Sequence, residues 1–300
     1  MGSYRWGGDG GDLWPVTWAP DGSLLTVWGD GKIGCPSKVS YGVAKFASDQ
    51  PTTALTTIHC GPLGSNKGKL MALLATGSGL FARFGPQGTS PGFPIWKSTN
   101  NGRTWTKPAS PLPFLIDSFV QFGRGNGGAP GGYAYALENR TTAIHLLRVP
   151  AGKAQSPSAY EYFTGTAAAP AWTKVRSQAK PIFSDPAGTW RPSINYNSGL
   201  RRYLLVAAHS KDSRRTSDKI GVFEAPNPWG PWRTVTYTDN FLGMRGGEFW
   251  GLNFPIKWQA DAGKTLWATF SCHNGSLPGT CGQYHDRLNL IRARLTVGAR

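Results

Sequence analysis

Short runs of alternating apolar and polar residues follow one another along the chain, with turn residues between them. The clearest stretch reads GDLWPVTWAPDGSLLTVWGDG, from Gly11 to Gly31. Its two extended runs, Leu13–Trp18 and Ser23–Trp28, flank the pair Asp21-Gly22. An Asp-Gly pair between alternating residues is the strongest short-range hairpin signal. The pattern therefore predicts a β-hairpin over these residues.

Helical periodicity is missing from the rest of the pattern. The weak candidate Arg148–Tyr162 contains Pro150 and Pro157, and proline breaks a helix interior. The 40 glycines, the 23 prolines and an aromatic content of 12% are typical of many short strands joined by tight turns. The apolar run Leu70–Ala75 is of strand length and far too short to cross a membrane. We therefore predict an all-β chain with no membrane partner.

A weak internal repeat narrows the choice among all-β architectures. Trp105, Trp172 and Trp232 each stand in a W-[TR]-x context, 67 and 60 residues apart, and each follows a turn-rich stretch. About 60 residues is the length of one four-stranded propeller blade, so 300 residues predict a five-bladed β-propeller. A β-sandwich is the alternative, but it does not explain the repeat. Because no stretch looks like a linker, we expect one domain over residues 1–300.

The repeat also predicts the limits of each blade. The C-terminal strand near Leu290–Val297 should share a blade with N-terminal residues. The expected blades are 12–50 with Val39–Phe46 as an outer strand, Leu55–Trp105, Phe119–Trp172, Pro181–Tyr237 and Phe249–Val297.

Candidate chemistry begins with the two carboxylates of the first hairpin. A hairpin brings the residue before its first strand close to the residue after its second, and here these are Asp12 and Asp30. In a chain with only 16 acidic residues, they form a candidate catalytic pair. A structural alternative is at least as good on the hairpin alone: Asp12 would cap a turn, and Asp30 would belong to a second turn, Asp30-Gly31.

Equivalent positions in the other blades supply further candidates. Residues just before the first strand and just after the second strand of each blade converge around a propeller's central funnel. Nearby aromatic residues offer flat faces to sugar rings, or else pack between blades. The predicted substrate-binding residues are Asn139, Arg140, Arg191, His209, Glu248, Asn253 and His273, with the aromatic residues Trp14, Trp190, Phe249 and Trp250.

Two resemblances bear on this interpretation. The segment STNNGRTW, Ser98 to Trp105, resembles the Asp-box of sialidase-type propellers, with Asn100 in the Asp position. In those proteins the box is a tight turn far from the active site. GDLWPVTW…WGDG, together with PWGPW, GEFW and GLNFP later in the chain, resembles a former domain-of-unknown-function family that includes bacterial endo-D-arabinanases. That resemblance implies a five-bladed glycoside hydrolase whose catalytic carboxylates correspond to Asp12 and Asp30.

The net charge of +16 favours contact with polyanions, but the basic residues are scattered and form no nucleic-acid motif. We therefore expect no nucleic-acid partner. Four cysteines allow three pairings, and the short loop HNGSLPGT between Cys272 and Cys281 favours the pairing Cys272–Cys281 with Cys35–Cys60. Two disulfides would indicate an oxidising, extracellular setting. The start Met-Gly-Ser carries no apolar segment, so we expect that a signal peptide has been removed.

Three functions remain open. A secreted glycoside hydrolase would use Asp30, beside Trp28, as the acid and Asp12 as the ionised partner, or the reverse. A polysaccharide lyase acting on a uronate glycan would need a base and a cation from Arg140, Arg191, Tyr203, His209 and His273. A glycan-binding propeller would need neither a base nor a cation.

For each of these functions we expect a monomer that takes a neutral or anionic polysaccharide or oligosaccharide. We expect no cofactor and no catalytic metal, with a structural calcium in the central channel left open.

Overall fold

Five antiparallel sheets make up the protein. The computed structural model describes residues 4–63, 68–85, 94–212, 216, 218–244, 246–273 and 281–298. Within these ranges there is no α-helix, and no helix is long and apolar enough to cross a membrane. The innermost strand of each sheet packs against the innermost strands of its two neighbours around a common axis. This arrangement confirms the predicted five-bladed β-propeller.

Each blade runs from an innermost strand outwards. Blade 1 contains β2 (Asp12–Trp18), β3 (Leu24–Gly31), β4 (Val39–Phe46) and β5 (Leu55–Cys60); blade 2 contains β6 (Lys69–Thr76), β7 (Gly79–Gly85) and β8 (Ile95–Ser98). Blade 3 contains β9 (Ser118–Phe119), β10 (Tyr133–Asn139), β11 (Ala143–Pro150), β12 (Glu161–Phe163), β13 (Trp172–Thr173) and β14 (Pro181–Ser184). Blade 4 contains β15 (Trp190–Asn197), β16 (Arg202–Ala208), β17 (Ile220–Ala225) and β18 (Arg233–Thr238).

Blade 5 closes the ring with strands from both ends of the chain. It contains β19 (Glu248–Asn253), β20 (Thr265–His273), β21 (Arg287–Arg294) and, outermost, β1 (Tyr4–Asp9). Strand β1 pairs antiparallel with β21, and Tyr4 lies opposite Ile291. The predicted sharing of one blade between N- and C-terminal residues is therefore confirmed.

Short 3-10 helices occur in the connections. They span Arg124–Asn126, Pro130–Gly132, Ala151–Lys153, Pro157–Ala159, Arg176–Gln178, Phe241–Gly243, Ile256–Trp258, Asp261–Gly263 and Gly282–Tyr284.

Some predicted blade limits are wrong. Leu55–Cys60 is the outer strand of blade 1 rather than the start of blade 2, because it pairs with β4. The glycine-containing stretch GPLGSNKG, residues 61–68, separates these blades in the sequence, whereas residues 47–54 only connect two strands of one blade. Pro181–Ser184 pairs with β11 and so belongs to blade 3 rather than blade 4.

The hydrophobic core of the described residues has five layers, one between each pair of successive blades, and one small cluster at the central channel. The layer between blades 1 and 2, for example, packs Leu25 and Val27 of β3 against Leu70 and Leu73 of β6. Burying a side chain of this size contributes about 1.5–3 kcal/mol. The four other layers join the remaining neighbours in the same way. The blades therefore depend on one another for burial of their apolar faces.

The innermost strands of blades 1, 2, 4 and 5 share a further feature. Each shows a register shift near its start, between Leu13 and Val16 in β2 and at matching places in β6, β15 and β19. A bulge of this kind bends a strand and redirects its side chains. A residue with left-handed backbone geometry lies at each shift: Trp14, Ala72, Arg191 and Gly251. The bulges thus shape the mouth of the central channel.

Three sequence predictions concern cross-links and turns. Both predicted disulfides, Cys35–Cys60 and Cys272–Cys281, are present. The Ser98–Trp105 segment forms a tight turn beyond β8, in which Asn100 Oδ1 accepts hydrogen bonds from Ser98 Oγ at 2.9 Å and from the Thr104 amide at 3.0 Å. Gly102 adopts a φ of 89°, which favours glycine. The turn follows β8, the outermost described strand of blade 2.

Candidate active site

Asp12 and Asp30 meet at the open end of the β2–β3 hairpin. Asp12 is the first residue of β2, and its ladder partner Gly29 stands next to Asp30. Both carboxylates contact one ammonium group: Lys69 Nζ lies 2.8 Å from Asp12 Oδ2 and 2.7 Å from Asp30 Oδ2. These two oxygens are therefore at most 5.5 Å apart. The hairpin and the first strand of blade 2 together build a carboxylate–lysine–carboxylate triad.

Each carboxylate uses only one of its oxygens on Lys69. Asp12 Oδ1 and Asp30 Oδ1 are buried and have no hydrogen-bond partner within the described part of the protein. Buried polar atoms are almost always hydrogen-bonded, and an unsatisfied one often marks a functional site. The two buried oxygens therefore mark the carboxylate pair as a candidate functional site.

Burial sets the protonation behaviour of this triad. Loss of water around Asp12 raises the pKa of its carboxyl group to about 6, although Lys69 acts in the opposite direction. Burial also acts to lower the pKa of Lys69, but attraction to Asp12 and Asp30 outweighs it, so that the pKa is raised. Lys69 therefore stays cationic, while Asp12 changes its protonation state close to neutrality.

Two glycines of the WGDG segment lie where a side chain would clash with its neighbours, and one of them, Gly29, adjoins the triad. A Cβ on Gly29 would lie 2.6 Å from Asp12 Oδ1 and 2.7 Å from Lys69 Cδ, and one on Gly31 would lie 1.9 Å from the Gly10 carbonyl oxygen. Both distances at Gly29 are shorter than real contacts of a methyl group. A side chain at position 29 would therefore displace the Asp12–Lys69 pair.

We expect Gly29→Ala to reduce any activity of this site by about 10²-fold, because a displacement of about 1 Å in a catalytic group has an effect of that size. Overpacking should also lower the free energy of unfolding by about 1–3 kcal/mol. Rate measurements and urea denaturation would test both effects. Gly77→Ala is the control, since a Cβ there meets nothing within 4 Å. Equal activity of the two variants would contradict the expected crowding.

A cavity of about 180 Å³ opens beside the triad. Its walls come from blades 1, 2 and 5 and from the segments between them. The lining residues are Gly11, Asp12, Gly29, Asp30, Lys38, Lys69, Glu248, Trp250, His273 and Asp286. Four of the protein's 16 acidic residues thus line one cavity, against two lysines. In a protein of net charge +16, this cavity is a locally acidic site.

The neighbouring central channel holds a second group of charges. Asp117 and Arg191 line a narrow space of about 50 Å³, and Trp250 borders both this space and the acidic cavity. Burial raises the pKa of Asp117, opposed by nearby Arg83. The Trp250 ring has Lys69 Nζ at 5.7 Å and Arg191 Cζ at 4.5 Å from its centroid. Trp250 therefore links the triad to the channel through two cation–π contacts.

The family profile "Domain of unknown function (DUF4185)" matches residues 82–275 of the chain. The chain belongs to the DUF4185 family. The matched segment includes Glu248, Trp250 and His273 but not Asp12 or Asp30. No curated protein matches this DUF4185 chain.

Solved structures similar to this DUF4185 protein share its fold at low sequence identity. A Bacteroides ovatus protein provisionally classed as a hydrolase is 13% identical with a TM-score of 0.62, and the match covers 96% of this chain and 87% of that one. The GH43_1 enzyme of Xanthomonas citri is 12% identical, with a TM-score of 0.55 and coverage of 97% and 89%. A Thermus thermophilus protein provisionally classed as a glucose dehydrogenase is 13% identical, with a TM-score of 0.52 and coverage of 97% and 100%. The fold is therefore shared by proteins assigned to different reaction classes.

Several predicted site residues of this DUF4185 protein do line the cavity or the channel. Asp12, Asp30, Glu248, Trp250 and His273 lie on the acidic cavity. Arg191 and Asn253 lie on the channel, and Asn253 Nδ2 donates to the Trp14 carbonyl at 3.4 Å.

Three of the aromatic residues that were predicted to bind sugar rings pack against other parts of the protein instead. Trp14 is fully buried and lies 6.5 Å from Trp28 between ring centroids, so that it offers no face to a sugar. Trp190 is half-buried and donates from Nε1 to the Phe249 carbonyl at 3.0 Å. Phe249 itself is buried and stacks on Phe270. For these three, packing between strands explains the aromatic character that the sequence suggested for binding.

Three predicted polar residues have partners away from the acidic cavity. The Asn139 side chain accepts a hydrogen bond from Thr189 Oγ1 at 2.6 Å. Arg140 pairs with Glu138 at 2.8 Å. His209 Nε2 lies 2.5 Å from Asp239 Oδ1, and its ring stacks on Tyr237. None of these three is among the residues that line the acidic cavity.

Sequence reasoning missed Lys69, Lys38 and Asp286, and it missed Asp117 in the channel. A usable signal existed for Lys69. It starts the innermost strand of blade 2, and residues at strand starts were the ones expected at the mouth. Asp286 immediately precedes β21, a position outside that expectation.

Proposed function

We propose that the protein is a glycoside hydrolase that cleaves its substrate with Asp12 and Asp30. This proposal rests on the two carboxylates that Lys69 holds beside an open cavity, each with one oxygen that has no hydrogen-bond partner among the described residues. Hydrolysis of a glycosidic bond uses two carboxyl groups, one as the acid and one as the nucleophile or base, about 5–5.5 Å apart in retaining enzymes and about 6.5–9.5 Å apart in inverting ones. The geometry therefore supports this reaction better than binding alone.

The environment suggests a division of roles. Asp12, the more buried of the two, protonates the leaving oxygen as the glycosidic bond breaks. Asp30 acts on the anomeric carbon directly or through a water molecule. Lys69 compensates the negative charge of the pair and fixes both carboxylates by hydrogen bonding. Asp30 has a φ of 50°, a left-handed geometry that is often found at functional sites.

The acidic cavity also points to the substrate class. Four carboxylates would repel a uronate or a phosphorylated glycan, so the proposed substrate is a neutral polysaccharide or oligosaccharide. The X. citri enzyme that shares the fold has been crystallised with xylotriose, a neutral oligosaccharide. Three of the five residues named for a lyase are unsuited to it: Tyr203 is buried, and Arg140 and His209 have other carboxylate partners. We therefore do not propose the lyase reaction.

Two disulfides support an extracellular location as part of the proposal. Such bonds persist in oxidising compartments.

The deciding experiment is product analysis on a panel of neutral and acidic glycans. Reducing ends would report hydrolysis, and ultraviolet absorbance would report an unsaturated product of elimination. We expect new reducing ends from a neutral glycan and no absorbance change. An unsaturated product from a uronate glycan would contradict the proposal.

The pH dependence provides a separate prediction. If Asp12 is the acid, kcat/KM should fall as the pH rises above about 6, where the carboxyl group loses its proton. Because its folded-state pKa lies above the unfolded value of 3.8, Asp12 contributes stability that is lost as pH rises from 3.8 to about 6. A pH–rate profile and urea unfolding across this range test both. A rate that stays constant from pH 5 to 8 would assign the acid role elsewhere.

A further inference from the structure

Three potential metal ligands lie together at the edge of the acidic cavity. His273, His285 and Asp286 each offer one ligand atom, and these atoms all lie within 4.8 Å of one another. His285 Nε2 and Asp286 Oδ2 are 3.5 Å apart. Two ligands of a tetrahedral zinc ion with bonds of about 2.0–2.1 Å are separated by about 3.3 Å. The spacing therefore suits one ion after small side-chain rotations.

The backbone fixes these residues beside one another. His273 ends β20, and the Asp286 amide donates to the Cys272 carbonyl at 2.9 Å. Cys272 also forms an isolated β-bridge with His285 through the backbone, and its side chain forms a disulfide with Cys281. The three ligands are thus held by strand pairing and a covalent cross-link rather than by a single exposed loop.

Local charge favours a cation at this place. Asp286 and His273 line the cavity that also contains Asp12, Asp30 and Glu248. Asp286 Oδ1 is buried without a hydrogen-bond partner in the described ranges. The excess of carboxylates over lysines in the cavity would attract a divalent ion despite the positive net charge of the whole protein.

We propose that His273, His285 and Asp286 bind a divalent transition-metal ion of the zinc class. Two imidazole nitrogens select such an ion over calcium or magnesium, which prefer oxygen ligands. Three protein ligands leave a fourth position open, as in zinc sites that bind a substrate or water. In the hydrolase proposed above, on which this second step rests, that position holds a hydroxyl group of the glycan and forms an additional subsite.

Metal binding can be measured without any substrate. The full-length protein is treated with chelator, dialysed and titrated calorimetrically with Zn²⁺, and then with Ca²⁺ and Mg²⁺. We expect saturable binding of about one Zn²⁺ per chain and much weaker binding of the other two ions. His273→Ala and His285→Ala should each weaken Zn²⁺ binding by about 10²-fold or more, since loss of even a supporting residue costs 10–100-fold. His59→Ala, a half-buried histidine stacked on Tyr41, is the matched control.

The outcomes separate this inference from the proposed hydrolase. Zinc affinity that is unchanged in both histidine variants, or absent from the wild-type protein, overturns the metal site even if glycans are cleaved. Zinc binding that depends on both histidines supports it even if no glycan is cleaved. Where cleavage is observed, the subsite role predicts that chelation raises KM by about 10-fold with little change in kcat, because binding rather than chemistry is lost. An unchanged KM would overturn the subsite role.

Discussion

Asp12→Asn and Asp30→Asn should each lower kcat/KM by at least about 10²–10⁴-fold, the usual effect of removing a general acid or base. The fold should survive both changes. An Asn oxygen can still accept a hydrogen bond from Lys69, and in each variant Lys69 keeps one carboxylate partner. Asn also tolerates the left-handed backbone found at Asp30. Rates per folded molecule and melting temperatures would be measured together.

Asp21→Asn is the matched control for this pair. Asp21 lies in the turn at the opposite end of the same hairpin, where Oδ1 accepts a hydrogen bond from the Ser23 amide at 2.8 Å. Its replacement should leave activity unchanged. Near-normal turnover in both the Asp12 and Asp30 variants, with a lower melting temperature, would instead assign the pair a structural role.

Lys69→Met should produce the second large effect. Without the ammonium group, two close and mostly buried carboxylates face each other and cannot both remain ionised. Removing one partner of a buried ion pair costs about 3–5 kcal/mol of stability, and loss of an electrostatic contact at a reacting centre costs about 10²–10³-fold in rate. The pKa of Asp12 should rise further, since an opposing influence is lost. The alkaline limb of the pH–rate profile should therefore move to higher pH.

Urea unfolding at two pH values would test the electrostatic explanation. The destabilisation by Lys69→Met should be larger at pH 8 than at pH 4, because protonation of one carboxyl group relieves the repulsion. Lys45→Met, at an exposed position of β4, should show neither effect. An equal loss at both pH values would mean that Lys69 acts through packing of its alkyl chain.

The five-bladed fold could be predicted because its signals are local and repeated. The Asp21-Gly22 turn specifies one hairpin, and Trp105, Trp172 and Trp232 mark successive blades at nearly constant spacing. The limits of the blades were harder to predict from the sequence. The sequence of Leu55–Cys60 predicts a strand, but it does not indicate whether this strand pairs with the strand before it or begins the next sheet. That choice depends on the pairing of β4 with β5, a tertiary property.

The candidate site, like the fold, could be predicted from the sequence only where it depends on local geometry. Asp12 and Asp30 lie on one hairpin, so that local geometry was enough to bring them together. Lys69 comes from another blade, 57 residues after Asp12, and its contact depends on how neighbouring blades pack. Burial also distinguishes residues that look alike in the sequence. Trp14 and Trp250 are both tryptophans near the mouth of the channel, but only Trp250 borders the cavity. Such a distinction requires the three-dimensional packing.

Closure of the ring by blade 5 has a consequence for the order in which the protein matures during synthesis. The Asp12–Asp30 hairpin and Lys69 leave the ribosome well before Glu248, His273 and Asp286. The amides of Gly10 and Gly11 donate to the Asp286 carbonyl at 3.0 and 3.1 Å, which ties the start of the hairpin to the last part of the chain. A nascent chain therefore carries both carboxylates long before it has a complete cavity. The acidic cavity is complete only after the strands of blade 5 have closed the ring.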